Sequence, residues 1–375
     1  MKQLGNPFVI GKYVDKDYFC DREKESELLV HHIVNGRHVT LISERRLGKT
    51  GLIEHVFTNH LSNEYETFLI DIYTCKNLRE MVYLLANEVF KKISKKQPLL
   101  DKLLSVVHSL KATLSYNSIT GQPEFGLGLG EITQPEITLD EILNYLEASD
   151  KVCVVAIDEF QKIASFEEDN VEALLRTKIQ HLKKTQFIFA GSERHLLEGI
   201  FSDPARPFYN SVVFMQLLPI DQNEYVRFCQ HLFSLYDKTV SEVLVSRLYD
   251  CFQGITWYLQ LSMNEAFTMA ERGGHVGEES YDQILNHMVD SKRFTFEDRY
   301  ASLTEKQKTV LLAIAAEFPK EVSLTSQEII TKYNLKTASS VQTAVKGLTE
   351  KGILNDNHGT KRPADLLFML WLKKF

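Results

Sequence analysis

The sequence predicts an α/β fold: a parallel sheet with helices on both faces, then an all-helical segment, then a small C-terminal module of three helices and a β-hairpin. Three observations predict it. Apolar strand-like runs alternate with helical periodicity up to about residue 218. From about 219 to 300 the periodicity is helical throughout. From about 301 the spacing becomes that of short helices ending in a hairpin. A chain of 375 residues is too long for one ordinary domain and suits two or three, here bounded as 1–218, 219–300 and 301–375.

In the first segment the strand candidates are 39–42, 68–73, 152–157, 187–190 and 212–217. The fullest of them, Val-Cys-Val-Val-Ala-Ile at 152–157, is unbroken and rich in β-branched residues, as a strand buried on both faces requires. Between the second and third, residues 116–136 are rich in Gly, Pro, Ser and Thr and contain Gly-Leu-Gly-Leu-Gly at 126–130. No clear strand precedes that run and no helix opens after it, so it is expected to be an inserted hairpin or mobile loop rather than a phosphate loop.

The helical segment puts Tyr225, Phe228, Cys229, Leu232 and Phe233 on one face and Val243, Leu244, Leu248 and Phe252 on another. In the tail, Thr304 is expected to cap a helix whose buried stripe is Val310, Leu311, Ile314 and Ala315. A second helix is expected at 327–332 and a third at 338–351, with Val341, Ala344, Val345 and Leu348 facing in. Gly352-Ile353-Leu354, the turn residues Asn357-His358-Gly359, and Leu366-Leu367-Phe368 then predict a two-stranded wing. That order is a winged helix-turn-helix.

The chemistry lies in the first segment. The strand at 39–42 leads through Ser43-Glu44-Arg45-Arg46-Leu47-Gly48-Lys49-Thr50-Gly51 into a helix with Leu52, Ile53, Val56 and Phe57 at helical spacing. A loop entering a helix N-terminus aims unpaired N–H groups at one spot, where the helix dipole also favours negative charge. Gly48 lets the backbone approach a phosphate, Lys49 reaches the outer phosphates, and the Thr50 hydroxyl suits magnesium. Ser43 stands where the pattern G-x-x-x-x-G-K-[ST] has its first glycine, a departure that matters only if position 43 needs a positive φ. The strand at 152–157 ends in Asp158-Glu159, at the sheet edge where open α/β proteins bind ligands. There Asp158 suits the magnesium shell and Glu159 an attacking water. A third strand ends in Gly191-Ser192, whose hydroxyl either senses the γ-phosphate or the water, or is ordinary turn chemistry.

Composition bounds the alternatives. An apolar share of 44% and a charged share of 25% are those of a soluble globular protein, and no signal peptide or apolar run long enough to span a membrane is visible, so a cytoplasmic location is expected. The five cysteines show no C-x-x-C and the twelve histidines no metal spacing, and His31-His32 is expected at an exposed helix edge. The net charge of −7 argues against blanket affinity for nucleic acid. It is uneven, since residues 301–375 carry eleven lysines and arginines against seven acids.

Together these motifs resemble the AAA+ superfamily, most closely its archaeal-type ATPase family, which overlaps the signal-transduction ATPases with numerous domains. The likeness runs through Asn6-Pro7-Phe8, Phe19-Cys20-Asp21-Arg22-Glu23, the loop with Arg45, Arg46, Gly48, Lys49 and Thr50, Ile157-Asp158-Glu159-Phe160-Gln161, the segment Pro204-Ala-Arg206-Pro207-Phe208-Tyr209, and Gly254-Ile-Thr-Trp257-Tyr258. It implies a P-loop NTPase core, a helical lid at 219–300, and an adenine pocket partly built by the first two of these segments. It implies ATP binding along 43–51 with Lys49 and Thr50, magnesium at Thr50 and Asp158, catalysis by Glu159 and a sensor role for Ser192. Arg206 is either a finger that neutralises transition-state charge in cis or in trans, or a surface arginine paired with a carboxylate. The lid arginine found in many relatives has no counterpart in the turn at Gly254. Trp257 and Tyr258 either touch nucleotide or fill the lid core.

The expected function is that of an ATP-binding protein, a slow ATPase switching a C-terminal winged helix. The alternatives are a nucleotide-gated DNA-binding regulator with negligible hydrolysis and a winged helix that docks a partner protein. For double-stranded DNA the candidate region is 326–362, where Ser339, Ser340, Gln342, Thr343 and Lys346 face outward and Lys361-Arg362 follow the wing. Assembly into an oligomer is left open.

Overall fold

The computed structural model describes residues 4–93, 113–116, 123–126, 132–320, 322–357 and 360–374. The chain divides into two compact units, Arg22–Leu218 and a second made of Met1–Asp21 with Pro219–Phe375.

The unit Arg22–Leu218 is built on a five-stranded sheet. Its strands are β1 (Val39–Ser43), β2 (Tyr65–Asp71), β5 (Val152–Asp158), β6 (Thr185–Gly191) and β7 (Val213–Leu217), in the order β2-β5-β6-β1-β7. All pairings are parallel. The five expected strands are therefore all present. Helix α1 (Glu23–Val34) precedes β1; parallel strands need crossovers, and the sequence supplies them as α2 (Lys49–Asn59), α3 (Leu78–Ile93), α4 (Pro135–Glu147), α5 (Val171–Ile179) and α6 (Arg194–Ser202). Cys153, Val155 and Ile157 join one core with residues of α3 to α6, while the intervening Val154 and Ala156 are equally buried and point away from it. Helices α1 and α2 pack on each other and on β1. Burial on both faces explains why β1, β5 and β6 read as apolar runs without alternation.

A hairpin interrupts the unit, with β3 (Thr113–Tyr116) antiparallel to β4 (Pro123–Gly126). It starts slightly ahead of the expected insertion, and residues 127–131 of the Gly-Leu repeat lie outside the described residues. His31 is exposed as expected, but His32 is buried on the inner face of α1.

The second unit is mainly helical. Helices α7 (Gln222–Ser234), α8 (Glu242–Cys251), α9 (Thr256–Met269), α10 (Tyr281–Asp290) and α11 (Arg293–Ala301) follow, with α7 capped by Asp221 and α8 by Ser241. The expected faces are buried apart from Phe228, which is only partly buried, and Val243, which is exposed. Residues 4–21 belong here: the Phe8 ring lies 5.5 Å from Phe233 and 6.1 Å from Phe267, and Asn264 Nδ2 donates to the Phe8 carbonyl at 2.8 Å.

The C-terminal module has α12 (Glu305–Glu317), α13 (Gln327–Lys332) and α14 (Ala338–Glu350). Thr304 caps α12 in a reciprocal capping box with Gln307. The wing is Leu354–Asn357 paired antiparallel with Thr360–Pro363. The expected second wing strand, Leu366-Leu367-Phe368, is instead the start of helix α15 (Leu366–Leu372). Pro363 ends the ladder, and Asp365 accepts the Leu367 N–H at 3.1 Å as an N-cap, so an apolar run that fits either period becomes a buried helix.

His38, just ahead of β1, accepts the Phe187 N–H on Nδ1 at 3.1 Å. Burial, with Arg176 adding to it, lowers its pKa to about 4. The unfolded chain then takes up this proton first, so the stability it confers is complete above about pH 6.5 and falls as the pH drops towards 4, by at most about 1.4 kcal/mol per unit. His38→Asn keeps an acceptor and removes the titration. Denaturant unfolding at pH 7 and pH 4.5 is expected to show a smaller difference for that variant than for the parent.

Candidate functional site

Ser43 ends β1 in extended conformation and its Oγ donates to the Glu44 carbonyl at 3.0 Å. Positive φ is taken instead by Arg46, at 70°, and by Gly48, at 90°. The serine departure therefore carries no backbone cost. A side chain at position 48 would be strained by about 1 kcal/mol or more in this left-handed conformation. Gly48 is the N-cap of α2 and offers no side-chain acceptor to the first-turn N–H groups. Leu47 is buried and anchors the loop from below, Arg45 lies over the Tyr73 ring at 5.9 Å, and Gly51 sits half-buried in the first turn of α2.

The loop meets the strand tips at Asp158. Lys49 Nζ lies 2.9 Å from Asp158 Oδ1 and 3.7 Å from Glu159 Oε1, and Thr50 Oγ1 donates to Asp158 Oδ2 at 2.5 Å. Lys49 is 8% exposed and Asp158 4%. Ser192, one residue beyond β6, donates to both Glu159 oxygens, at 3.2 and 3.0 Å. The structure thus brings Lys49, Thr50, Asp158, Glu159 and Ser192 into one cluster.

Two members of this cluster carry no expectation from sequence. Asp71 ends β2 in register with Asp158, and burial raises its pKa; the Tyr73 N–H opposes this, Asp158 and Glu159 add to it, and Lys49 opposes it. Gln161 Nε2 donates to Glu159 Oε2 at 2.5 Å. A strand-end carboxylate beside Asp158 was a readable signal for the first; Gln161 gave none beyond its place after Asp-Glu-Phe.

Glu159 is itself left-handed, with φ 56°. What holds it there is Phe160, fully buried with its ring 4.4 Å from Phe189 and 5.8 Å from Phe208. The aromatic packing over-determines the turn, and the carboxylate is turned off the strand axis towards Ser192.

Three other regions carry open alternatives or an implied role. The Arg206 guanidinium binds Glu172 of α5 with two nitrogens, Nε at 3.0 Å and Nη2. Tyr258 is core: its ring stacks on Phe252 at 5.2 Å, and its hydroxyl donates to Asp365 and accepts the Leu366 N–H. Lys292 covers the Trp257 ring at 4.8 Å. Asn6, Phe8 and Cys20 serve the core of the helical unit.

The donor set fits magnesium, because the Thr50 hydroxyl and the Asp158 carboxylate are adjacent hard oxygen ligands. It fits phosphate equally, through Lys49, Gly48 and the uncapped N–H groups of α2. If the Arg206 pair is purely structural, Arg206→Ala and Glu172→Ala lower stability alike, by about 1–3 kcal/mol, and leave nucleotide turnover at the parent rate. A turnover loss confined to Arg206→Ala identifies a finger instead.

Residues 294–374 match a family model described as a probable winged helix domain. A Walker-type ATPase of Pyrococcus abyssi aligns with 98% of this chain and 99% of its own, at 19% identity and a TM-score of 0.65. The ORC2 protein of Aeropyrum pernix, in ADPNP–ADP complexes, aligns with 98% of this chain and 95% of its own, at 15% identity and a TM-score of 0.61. No curated protein matched the sequence. The strand order, the loop at Gly48 and the C-terminal module thus give this chain the AAA+-like P-loop NTPase fold, with a winged helix at its C-terminal end.

Proposed function

We propose that the chain binds ATP with magnesium at the Lys49–Asp158 cluster and hydrolyses it slowly, as a switch acting on the winged helix. The observation that carries this reading is the meeting of Lys49, Thr50, Asp158, Glu159 and Ser192 at the ends of three neighbouring strands. The names of the two aligned proteins, a Walker-type ATPase and a protein solved with ADPNP and ADP, support it.

On this reading the α2 N–H groups, with Gly48, Arg45 and Arg46 around them, cradle the phosphates, and Lys49 exchanges Asp158 for the outer phosphates. Thr50 and Asp158 would hold magnesium, which would supply charge neutralisation for the phosphates. Glu159, fixed by Ser192, orients the attacking water and accepts its proton, and Ser192 lies where the γ-phosphate or the water is felt. The segment 219–300 acts as the lid and 301–375 as the module it carries. A ligand shifts such a switch only through unequal affinity for its two states. Neighbouring subunits enter only if Arg206 leaves Glu172.

Lys49→Ala is expected to weaken ATP binding at least 10-fold, while Glu159→Gln retains binding and loses turnover by about 100-fold or more. Calorimetry and phosphate release measure the two; unchanged values in both variants sink the assignment.

A second reading has one specific support. Ser339, Gln342, Thr343 and Lys346 are exposed on α14, the helix that winged helices lay in a DNA groove, while Val341, Ala344, Val345 and Leu348 are buried beneath. If α14 binds duplex DNA, with negligible hydrolysis or otherwise, affinity falls steeply between 50 and 200 mM salt and Lys346→Ala flattens the slope by about one charge. Retention that ignores salt favours docking of a partner protein.

A further inference from the structure

We propose that Gln161 is the positioning residue that aims the Glu159 carboxylate, and that position 191 is glycine to make room for it. The inference rests on the ATPase reading for its kinetic consequence, but its geometry stands separately.

Gln161 is 2% exposed although it carries a carboxamide. Its Nε2 donates to Glu159 Oε2 at 2.5 Å, and Ser192 Oγ donates to the same carboxylate from β6. The carboxylate is thus held at two points, one on its own turn and one on the neighbouring strand. Neither donor is charged, so the two hydrogen bonds orient the oxygens without adding a countercharge. Lys49, at 3.7 Å from the other oxygen, is too far for a direct hydrogen bond. Without the amide the side chain, already on a left-handed backbone, keeps Ser192 as its side-chain hydrogen-bond donor and the longer contact with Lys49.

The space for the amide is supplied by Gly191. An ideal Cβ there falls 2.1 Å from Gln161 Oε1 and 2.8 Å from Leu197 Cδ1. Gly191 has no positive φ, so backbone freedom does not require a glycine. Leu197 is fully buried behind, and the collision cannot be relieved from that side without opening the core. Gln161 Oε1 is buried without a partner. A side chain with an unsatisfied buried acceptor costs stability, which is tolerable at a site selected for something other than stability.

The test compares Gln161→Ala, Gly191→Ala and the double variant in the full-length chain, with ATP and magnesium. Each single substitution is expected to lower kcat about 10- to 100-fold while the ATP Kd stays within about twofold, since the amide touches no phosphate ligand. The double variant is expected to lose less than the product of the two single losses, because the amide that the added methyl would displace is already gone while the contact with Leu197 remains. Parental kcat in Gln161→Ala, or losses that multiply in the double variant, overturn the proposal. If the parent itself shows no turnover, the ATPase reading fails and the clamp is judged by the crystal structure of Gln161→Ala. A Glu159 carboxylate that leaves Ser192 supports the clamp; one that stays in place removes it.

Discussion

Everything at the sheet edge depends on a buried ammonium and a buried carboxylate that satisfy each other. Lys49 and Asp158 are both almost fully withdrawn from solvent, and breaking such a pair by losing one partner costs about 3–5 kcal/mol. Neither charge can be abandoned, only exchanged. An anion that draws Lys49 away leaves Asp158 and the Thr50 hydroxyl uncompensated at the same moment, and a divalent cation is what that pair of oxygens then calls for. On the proposed reading, phosphate and metal enter as linked events because the Lys49–Asp158 pair is neutral without either.

The sheet order makes this exchange possible. Parallel strands point every C-terminal tip the same way, and the order places β6 between β1 and β5, so Ser43, Ser192 and Asp158 end at one edge. Packing beneath the edge then sets the directions. Phe160, Phe189, Phe201 and Phe208 form one aromatic cluster, with ring centroids between 4.4 and 5.8 Å apart. Phe208 comes from the Pro204–Tyr209 stretch, so that segment reaches the site through the core while its arginine is engaged with Glu172.

The parts legible in sequence were those whose chemistry is written in residue type and local period. Lys49-Thr50 after a strand and Asp158-Glu159 at the end of one needed no tertiary knowledge, and all five strands announced themselves by apolar runs. What stayed hidden depends on neighbours distant along the chain. The role of Gln161 is set by Gly191, thirty residues on, and the place of Phe8 by Phe233 and Phe267. The run from Leu366 was ambiguous because three consecutive apolar residues satisfy both periods, and only the Asp365 cap after Pro363 decides for helix. His32 was misplaced because two adjacent histidines share no helix face.

The second unit bears on how any signal would travel. One continuous hydrophobic core holds Phe8, residues of α7 to α11 and the buried residues of the winged helix as far as Leu372. Phe296 of α11 packs on Phe368 and Trp371 of α15, and the Tyr258 hydroxyl ties α9 to the turn at Asp365. A helical segment and a winged helix joined by a flexible tether would share no such core. Residues near 300 are therefore not a hinge. The chain passes between the two units only twice, after Asp21 and after Leu218, where Asp21 and Arg22 are both left-handed and Pro219 stiffens the second passage. On the proposed reading, whatever nucleotide does to the helical segment it does to the winged helix as well, because the two share one core.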